Sequence, residues 1–399
     1  MRILWLTHRD LMNPRSGGAE RTVFEVGRRL VSRGHTVEQA SLTFPGARVE
    51  DTLEGVRVRR FDSALNLHIS VGRLTREIAP DVVVDDLAHV VPWRPTDRTA
   101  IPGVAFFRHL HARTLGGQVR IPAAATLRLI ERTYSLIYRS WPIVTESRQS
   151  YSDLVRLGVP ANQIRVIAPG ADTRSRITYD RAKEPTVVYF GGLKSYKRPQ
   201  HALVAFDRLL KQNKNAKFVI VGDGPELKHL RELSLSLGLS QQVSIVGRLS
   251  DLQLSQIVSS AWVNVHCSSA EGWCYSAMEA AALGVPTVAY RAPGVSETIL
   301  DNVSGKLVED GNIEELATAI FQILQSPHGW WNSAANYSLR YRWDRTATDW
   351  ERLLEASSSR QKFHGSEVSH LLKEGQTPSS LSDCVNPQGY TTPGQDYSL

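Results

Sequence analysis

Short apolar runs alternate with amphipathic stretches along almost the whole chain, and Gly- or Pro-bearing turns separate them. An apolar run that does not alternate with polar residues suits a strand buried on both faces. In a water-soluble chain such strands belong to parallel sheets covered by helices. The pattern therefore restricts the chain to the α/β class. In the first half it predicts strands at residues 2–6, 36–40, 56–61, 81–84, 104–107, 142–145 and 164–167, with helices at 19–33, 127–138 and 150–157. A second start near Pro185 predicts strands at 186–190, 217–221, 243–246, 262–266 and 286–289, with helices at 199–212, 276–283 and 311–325. Two α/β halves thus join around residues 169–184. Open parallel sheets bind ligands beyond the carboxyl ends of their strands, so two halves facing one another would enclose a cleft.

Composition agrees with two globular domains in 399 residues. At 42% hydrophobic and 22% charged, a fully disordered chain, a collagen repeat and a long coiled coil are excluded. The apolar runs fall well short of the roughly 20 residues that cross a bilayer, and the apolar residues 1–7 are too few for a signal peptide. Cys267, Cys274 and Cys384 are odd in number and lack metal-ligand spacing, so a cytoplasmic location and no disulfide framework are expected. Residues 1–175 hold 25 Arg, no Lys and 17 acidic residues, an excess of +8, while the remainder carries −1. A basic half can attract phosphates or anionic lipid headgroups. The arginines are scattered and no nucleic-acid-binding signature appears, so no nucleic-acid partner is expected. From residue 357 the pattern stops in a polar stretch, read as a flexible tail over 357–399.

The segment from Ser268 to Ala281 is the richest in chemistry. Glu271 falls in a Gly-containing loop after an apolar strand, and Glu279 on the helix that follows. Unpaired amides at such a helix start favour an anion, and carboxylates beside it accept hydrogen bonds from sugar or ribose hydroxyls. Gly191 and Gly192 open a basic turn with Lys194, Lys197 and Arg198, and Gly222 and Gly224 close the next strand. In the first half, Gly17 and Gly18 with Glu20 follow strand one and permit close backbone approach to a phosphate or sugar. Arg108, His109 and His111 follow another strand.

The spacing from Glu271 to Glu279 resembles that of retaining glycosyltransferases of the GT-B fold, particularly family 4 (glycosyl transferases group 1). The resemblance runs over about residues 1–355 and continues in Val221-Gly222-Asp223-Gly224-Pro225, Gly284-Val285-Pro286-Thr287-Val288-Ala289 and Gly294-Val295-Ser296-Glu297-Thr298-Ile299. It implies two Rossmann-like domains across a cleft. An acceptor-side domain is expected over 1–172 and a nucleotide-sugar domain over 173–330. A C-terminal helix in 331–356 is expected to return to the first domain. It implies that Glu279 holds the ribose, that Glu271 contacts the donor sugar, and that Lys197 grips the diphosphate. Gly191, Gly192, Arg198, Gly222 and Gly224 would surround the donor, and backbone amides of Trp273, Cys274, Tyr275 and Ser276 would approach it. The family has Arg at the position of Gly192 and Gly at that of Cys274. His109 would face the donor sugar, with Arg108 and His111 as neighbouring candidates. Gly17, Gly18 and Glu20 would border the diphosphate and acceptor.

The implied reaction moves a hexose from a nucleoside-diphosphate sugar to an acceptor hydroxyl, with neither cofactor nor metal. The expected acceptor is a cell-envelope or lipid-linked glycan, with the basic half resting on the inner face of the plasma membrane. A nucleotide-sugar epimerase and a non-catalytic sugar-nucleotide-binding homologue remain alternatives.

Overall fold

Runs such as Val82–Asp86 and Thr186–Phe190 form strands because their β-branched and aromatic side chains pack on both faces of a sheet, and every residue in these two is buried. The computed structural model describes residues 1–93, 101–111, 121–171 and 180–359. The first lobe runs β1 (Arg2–Leu6), α1 (Gly18–Ser32), β2 (Thr36–Leu42), β3 (Glu50–Leu53), β4 (Val56–Phe61), α2 (Ala64–Ile78), β5 (Val82–Asp86), β6 (Gly103–Phe107), α3 (Ile121–Arg132), α4 (Tyr134–Ile137), β7 (Ile143–Thr145), α5 (Arg148–Arg156) and β8 (Ile164–Val166). Its sheet order is β3-β4-β2-β1-β5-β6-β7-β8, with β3 antiparallel to β4 and the other pairs parallel.

The second lobe runs β9 (Thr186–Phe190), α6 (Pro199–Leu210), β10 (Lys217–Val221), α7 (Leu227–Ser236), β11 (Val243–Gly247), α8 (Asp251–Ser260), β12 (Val263–His266), α9 (Tyr275–Ala282), β13 (Thr287–Tyr290), β14 (Gly305–Val308), α10 (Ile313–Gln325) and α11 (Pro327–Ser338). Its parallel order β11-β10-β9-β12-β13-β14 is the 3-2-1-4-5-6 order of a doubly wound nucleotide-binding sheet. Core side chains of this lobe, among them Val187, Phe206, Phe218 and Ile320, lie between sheet and helices. The described residues of both lobes gather in one compact unit. No helix among the described residues is long and apolar enough to cross a membrane.

Three expectations need correction. The single helix expected at 127–138 is two, α3 and α4, broken at Thr133, whose hydroxyl bonds back to the Ile130 carbonyl at 2.6 Å. The C-terminal segment expected to return to the first lobe from 331 onward is also divided. Residues of α11 pack against α9 in the second lobe, and α12 (Trp343–Ser358) packs on α1, β5 and β6. Trp350 explains the return: it lies in the first lobe's core, 5.0 Å from Trp5 and 4.8 Å from Phe106 by ring centroids. The tail was expected from 357, yet Ser357 and Ser358 are helical, with hydroxyls bonded to Leu353 and Glu355 carbonyls at 2.8 and 2.9 Å. The rest of the expected tail, from 360, lies outside the described residues.

Candidate active site

The second sheet reverses its strand order between β9 and β12, and the loops leaving those two strands carry the charged centre. Lys197 Nζ lies 2.7 Å from Glu271 Oε1, and Ser268 Oγ donates to the same oxygen at 2.7 Å. His266 Nε2, at the end of β12, is 3.4 Å from that oxygen, an ionic contact rather than a closed hydrogen bond. Although burial pushes the Glu271 carboxyl up, Lys197 and His266 hold it well below the usual carboxylate range. Burial works against the Lys197 charge, but Glu271 raises it above the ordinary lysine value. Among the described residues no hydrogen bond ends on Glu271 Oε2.

Helix α9 begins three residues beyond Gly272. The amides of Trp273, Cys274 and Ser276 have no protein acceptor among the described residues, whereas that of Tyr275 bonds to the Trp273 carbonyl at 3.1 Å. The Trp273 ring sits in the core with Met278 and Tyr337. Cys274 caps the helix; burial raises its thiol, yet His266 draws it below the ordinary value. Glu279, one turn on, accepts from Arg21 Nη1 of the first lobe at 3.2 Å, and Arg21 Nη2 reaches Asp251 at 3.0 Å. Tyr275 crosses the cleft. Its ring lies against Gly18, where any Cβ would collide with it, and its hydroxyl donates to Glu146 and meets Thr22 Oγ1 at 2.6 Å.

Glu146, for which the sequence offered no role, thus lies in a buried charged cluster. Arg108 pairs with Asp86 at 2.6 Å and with Glu146 at 2.8 Å, and stacks 3.6 Å from the Phe106 centroid. Burial pushes both carboxyls up against the pull of Arg108. His109 stacks on His111 at 4.4 Å, next to Gly272, whose carbon would meet the Arg108 carbonyl if it bore a side chain. Burial, with His111 beside it, pushes His109 down to about 3, so it is neutral at pH 7. His111 itself reaches the Ala88 carbonyl at 3.1 Å. Glu20 accepts from Arg9 Nε at 3.0 Å and from the Gly17 amide at 2.8 Å, so that amide is engaged within its own loop.

The glycine pairs divide in role. Gly222 and Gly224 have φ of +150° and +155°, and a Cβ on either would strike the backbone of residues 191–193. They let two loops pack face to face. Beside Gly192 the space is open, and the Lys194 stem borders it: Cε would be 3.8 Å from an added Cβ. Arg198, expected at the donor, is engaged by protein groups. It donates to the Cys267 carbonyl at 2.7 Å, pairs with Asp310 and lies 4.7 Å over the Tyr290 ring. The structure therefore gathers Glu271, Lys197, Glu279 and the α9 amides around one cleft with His109 and Gly18.

Comparison with known proteins gives the same picture. The chain is 26% identical over 383 residues to D-inositol 3-phosphate glycosyltransferase 2 of Catenulispora acidiphila, covering 83% of this chain and 88% of that one. It is also 26% identical over 343 residues to the GDP-mannose-dependent alpha-(1-6)-phosphatidylinositol monomannoside mannosyltransferase of Mycobacterium tuberculosis, covering 78% and 86%. Among solved structures, sucrose-phosphate synthase of Thermosynechococcus elongatus superposes with a TM-score of 0.76 at 20% identity, over 89% of this chain and 98% of that one. Anabaena HepE in complex with UDP-glucose gives 0.72 at 19% identity, over 90% and 100%. The model of Glycosyltransferase Family 4 matches residues 16–175 and that of glycosyl transferases group 1 matches 172–349. With its two facing Rossmann-like lobes and these matches, the chain belongs to the GT-B-fold glycosyltransferases of group 1.

Proposed function

We propose that the chain transfers a hexose from a nucleoside-diphosphate sugar to an acceptor hydroxyl with retention of anomeric configuration, without a metal. The observation that carries this reading is the Glu271–Lys197 pair, set at the strand-order reversal with Glu271 Oε2 left open. Free α9 amides and Lys197 suit a diphosphate, whose negative charge grows as the anomeric C–O bond breaks. Lys194, lying beside Gly192, supplies the second cation that the missing arginine would have given. Glu271 Oε2 accepts a sugar hydroxyl, and Glu279 turns from Arg21 to the ribose hydroxyls. The acceptor hydroxyl attacks from the face the diphosphate leaves, and the departing phosphate oxygen takes its proton. Closure of the lobes keeps water out and so limits donor hydrolysis.

The mycobacterial relative, named for a phosphatidylinositol mannoside, supports a lipid-linked or cell-envelope glycan as acceptor. Exposed Leu65 and Ile69 on α2, with Leu129 and Leu136 on α3 and α4, stand among exposed Arg73 and Arg128. These groups suit a peripheral position on the inner face of the plasma membrane, with the enzyme in the cytoplasm.

A thermal-shift series with UDP, GDP, ADP and their hexose conjugates identifies the donor, because a ligand of the native state raises its apparent stability. Product NMR after incubation with that donor and a lipid-linked glycan is expected to show the donor's anomeric configuration kept. An inverted product overturns the retaining assignment. Donor binding without transfer favours the non-catalytic reading that Gly192 and Cys274 suggest, and an epimerised nucleotide-sugar favours the epimerase. Pelleting with anionic but not neutral vesicles is expected; equal binding removes the membrane proposal.

A further inference from the structure

We infer that His266 is a positioning residue of the transfer site: its imidazole, with Lys197 and Ser268, holds Glu271 by one oxygen so that the other faces the donor sugar. The inference rests on the function proposed above and names a residue that the family comparison does not assign.

His266 ends β12, a buried run of Val, Asn and Val, and is itself only 2% exposed. A polar ring in such a strand is unfavourable unless both nitrogens find partners. Here they do. Nδ1 is 3.1 Å from Ser276 Oγ on α9, and Nε2 points to Glu271 Oε1 at 3.4 Å. Three groups from three chain segments therefore converge on one oxygen: His266 from the strand end, Ser268 from the loop at 2.7 Å, and Lys197 from the facing turn at 2.7 Å. A carboxylate gripped at one oxygen from several directions loses its freedom to rotate, and its free oxygen keeps one heading. Preorganised acceptors of this kind cost no reorientation when the substrate reacts.

The titratable groups around the ring are Glu271, the Cys274 thiol at the start of α9, and Lys197 beyond Glu271; its register partner on β13 is Ala289, which carries no charge. Burial disfavours the imidazolium, but Cys274 and Glu271 push it up to about 9, so the ring keeps a proton on Nε2 toward Glu271. Ser276 fixes the opposite nitrogen in either charge state, accepting from Nδ1–H in the imidazolium or donating to a bare Nδ1. A ring serving only as core filling needs none of these alignments.

The test uses full-length His266→Leu and His266→Gln. The donor is UDP-glucose or GDP-mannose, whichever raises the wild-type melting temperature. In the Leu variant kcat is expected to fall about 100-fold, with donor KM within about threefold. The Gln variant, which keeps an N–H donor, is expected to regain at least about a tenth of wild-type kcat. Nitrogen-15 NMR of histidine-labelled wild-type protein at pH 7.5 is expected to show a proton on Nε2. Wild-type kcat in the Leu variant, or a loss confined to KM, overturns the proposal, as does an Nε2 without a proton. If the Leu variant does not fold, the Gln variant and the NMR signal decide. If wild-type protein transfers no sugar, the function proposed above falls, and the ring's protonation, read without substrate, still decides for or against His266.

Discussion

Glu271 is charged because Lys197 and His266 outweigh its burial, and the same contacts set how stability responds to pH. The folded-state value of His266 is raised, so its contribution is fully present below the unfolded value of 6.5 and is lost as pH rises through about 9. That loss is about 3 kcal/mol, and calorimetry from pH 6.5 to 9.5 should find most of it absent in His266→Leu. On the acid side His8, His89 and His109 are depressed to about 4, 2 and 3, chiefly by burial. Each is held neutral when folded, so each subtracts stability as pH falls below 6.5, about 1 kcal/mol by pH 5 after solvent screening. Stability should therefore peak near pH 6.5–7. Lys197→Ala leaves Glu271 beside His266 and Ser268 alone. It should lower stability by about 3 kcal/mol and kcat by about 100- to 1000-fold, checked by urea melts and initial rates. Glu271 and Glu279 stood out in the sequence because local spacing around one helix start carries them, and Lys197 because it sits in the basic turn after Gly191 and Gly192. Arg21 and Glu146 did not, because their partners Glu279 and Tyr275 lie 258 and 129 positions away.

Helix α9 shows how one element serves both lobes. Its start presents free amides and Glu279 to the cleft, and its first residue sends the Tyr275 hydroxyl into the Arg108–Glu146 cluster of the other lobe. The sequence marked Tyr275 for its backbone alone, since nothing local shows a phenol reaching across a cleft. Tyr275→Phe removes one donor from a buried carboxylate that still has Arg108 and Thr22. It should lower stability by about 1–2 kcal/mol, raise donor KM more than it lowers kcat, and speed cleavage of the cleft loops in limited proteolysis. Unchanged KM and cleavage would mean that the hydroxyl does not fasten the lobes. Element reading from sequence did well where apolar runs were long and buried, as in β5, β9 and β10. It missed α2, α7, α8 and α11. In α8, LSQIVSS gives only a weak apolar stripe, and α11 opens with two tryptophans that pack on opposite partners, Trp331 on Trp262 and Trp330 beside Lys306.

At the scale of the whole molecule, the two lobes depend on a pair of chain crossings that run side by side. The Ala171 amide bonds to the Tyr341 carbonyl at 2.9 Å, and Thr346 Oγ1 reaches the Ala168 carbonyl at 2.8 Å. Between them Gly170 sits so close to the start of α12 that an added Cβ would lie 2.6 Å from Trp343 Cα and strike its backbone nitrogen. Backbone cannot yield as a flexible side-chain tip can, so Gly170→Ala must push the crossings apart. That strain is about 1–3 kcal/mol. It falls on the joint that keeps Arg21 against Glu279, Glu297 against the Arg148 and Gln149 amides, and Tyr275 against Glu146. The expected result is a lower melting temperature and a larger radius of gyration in solution scattering. Gly329→Ala is the control: it lies within α11 with nothing inside 4 Å of the added carbon, and should be neutral or stabilising by up to about 1 kcal/mol. If both variants melt and scatter alike, the crossings do not set how the lobes are held, and closure must come from the cleft contacts alone.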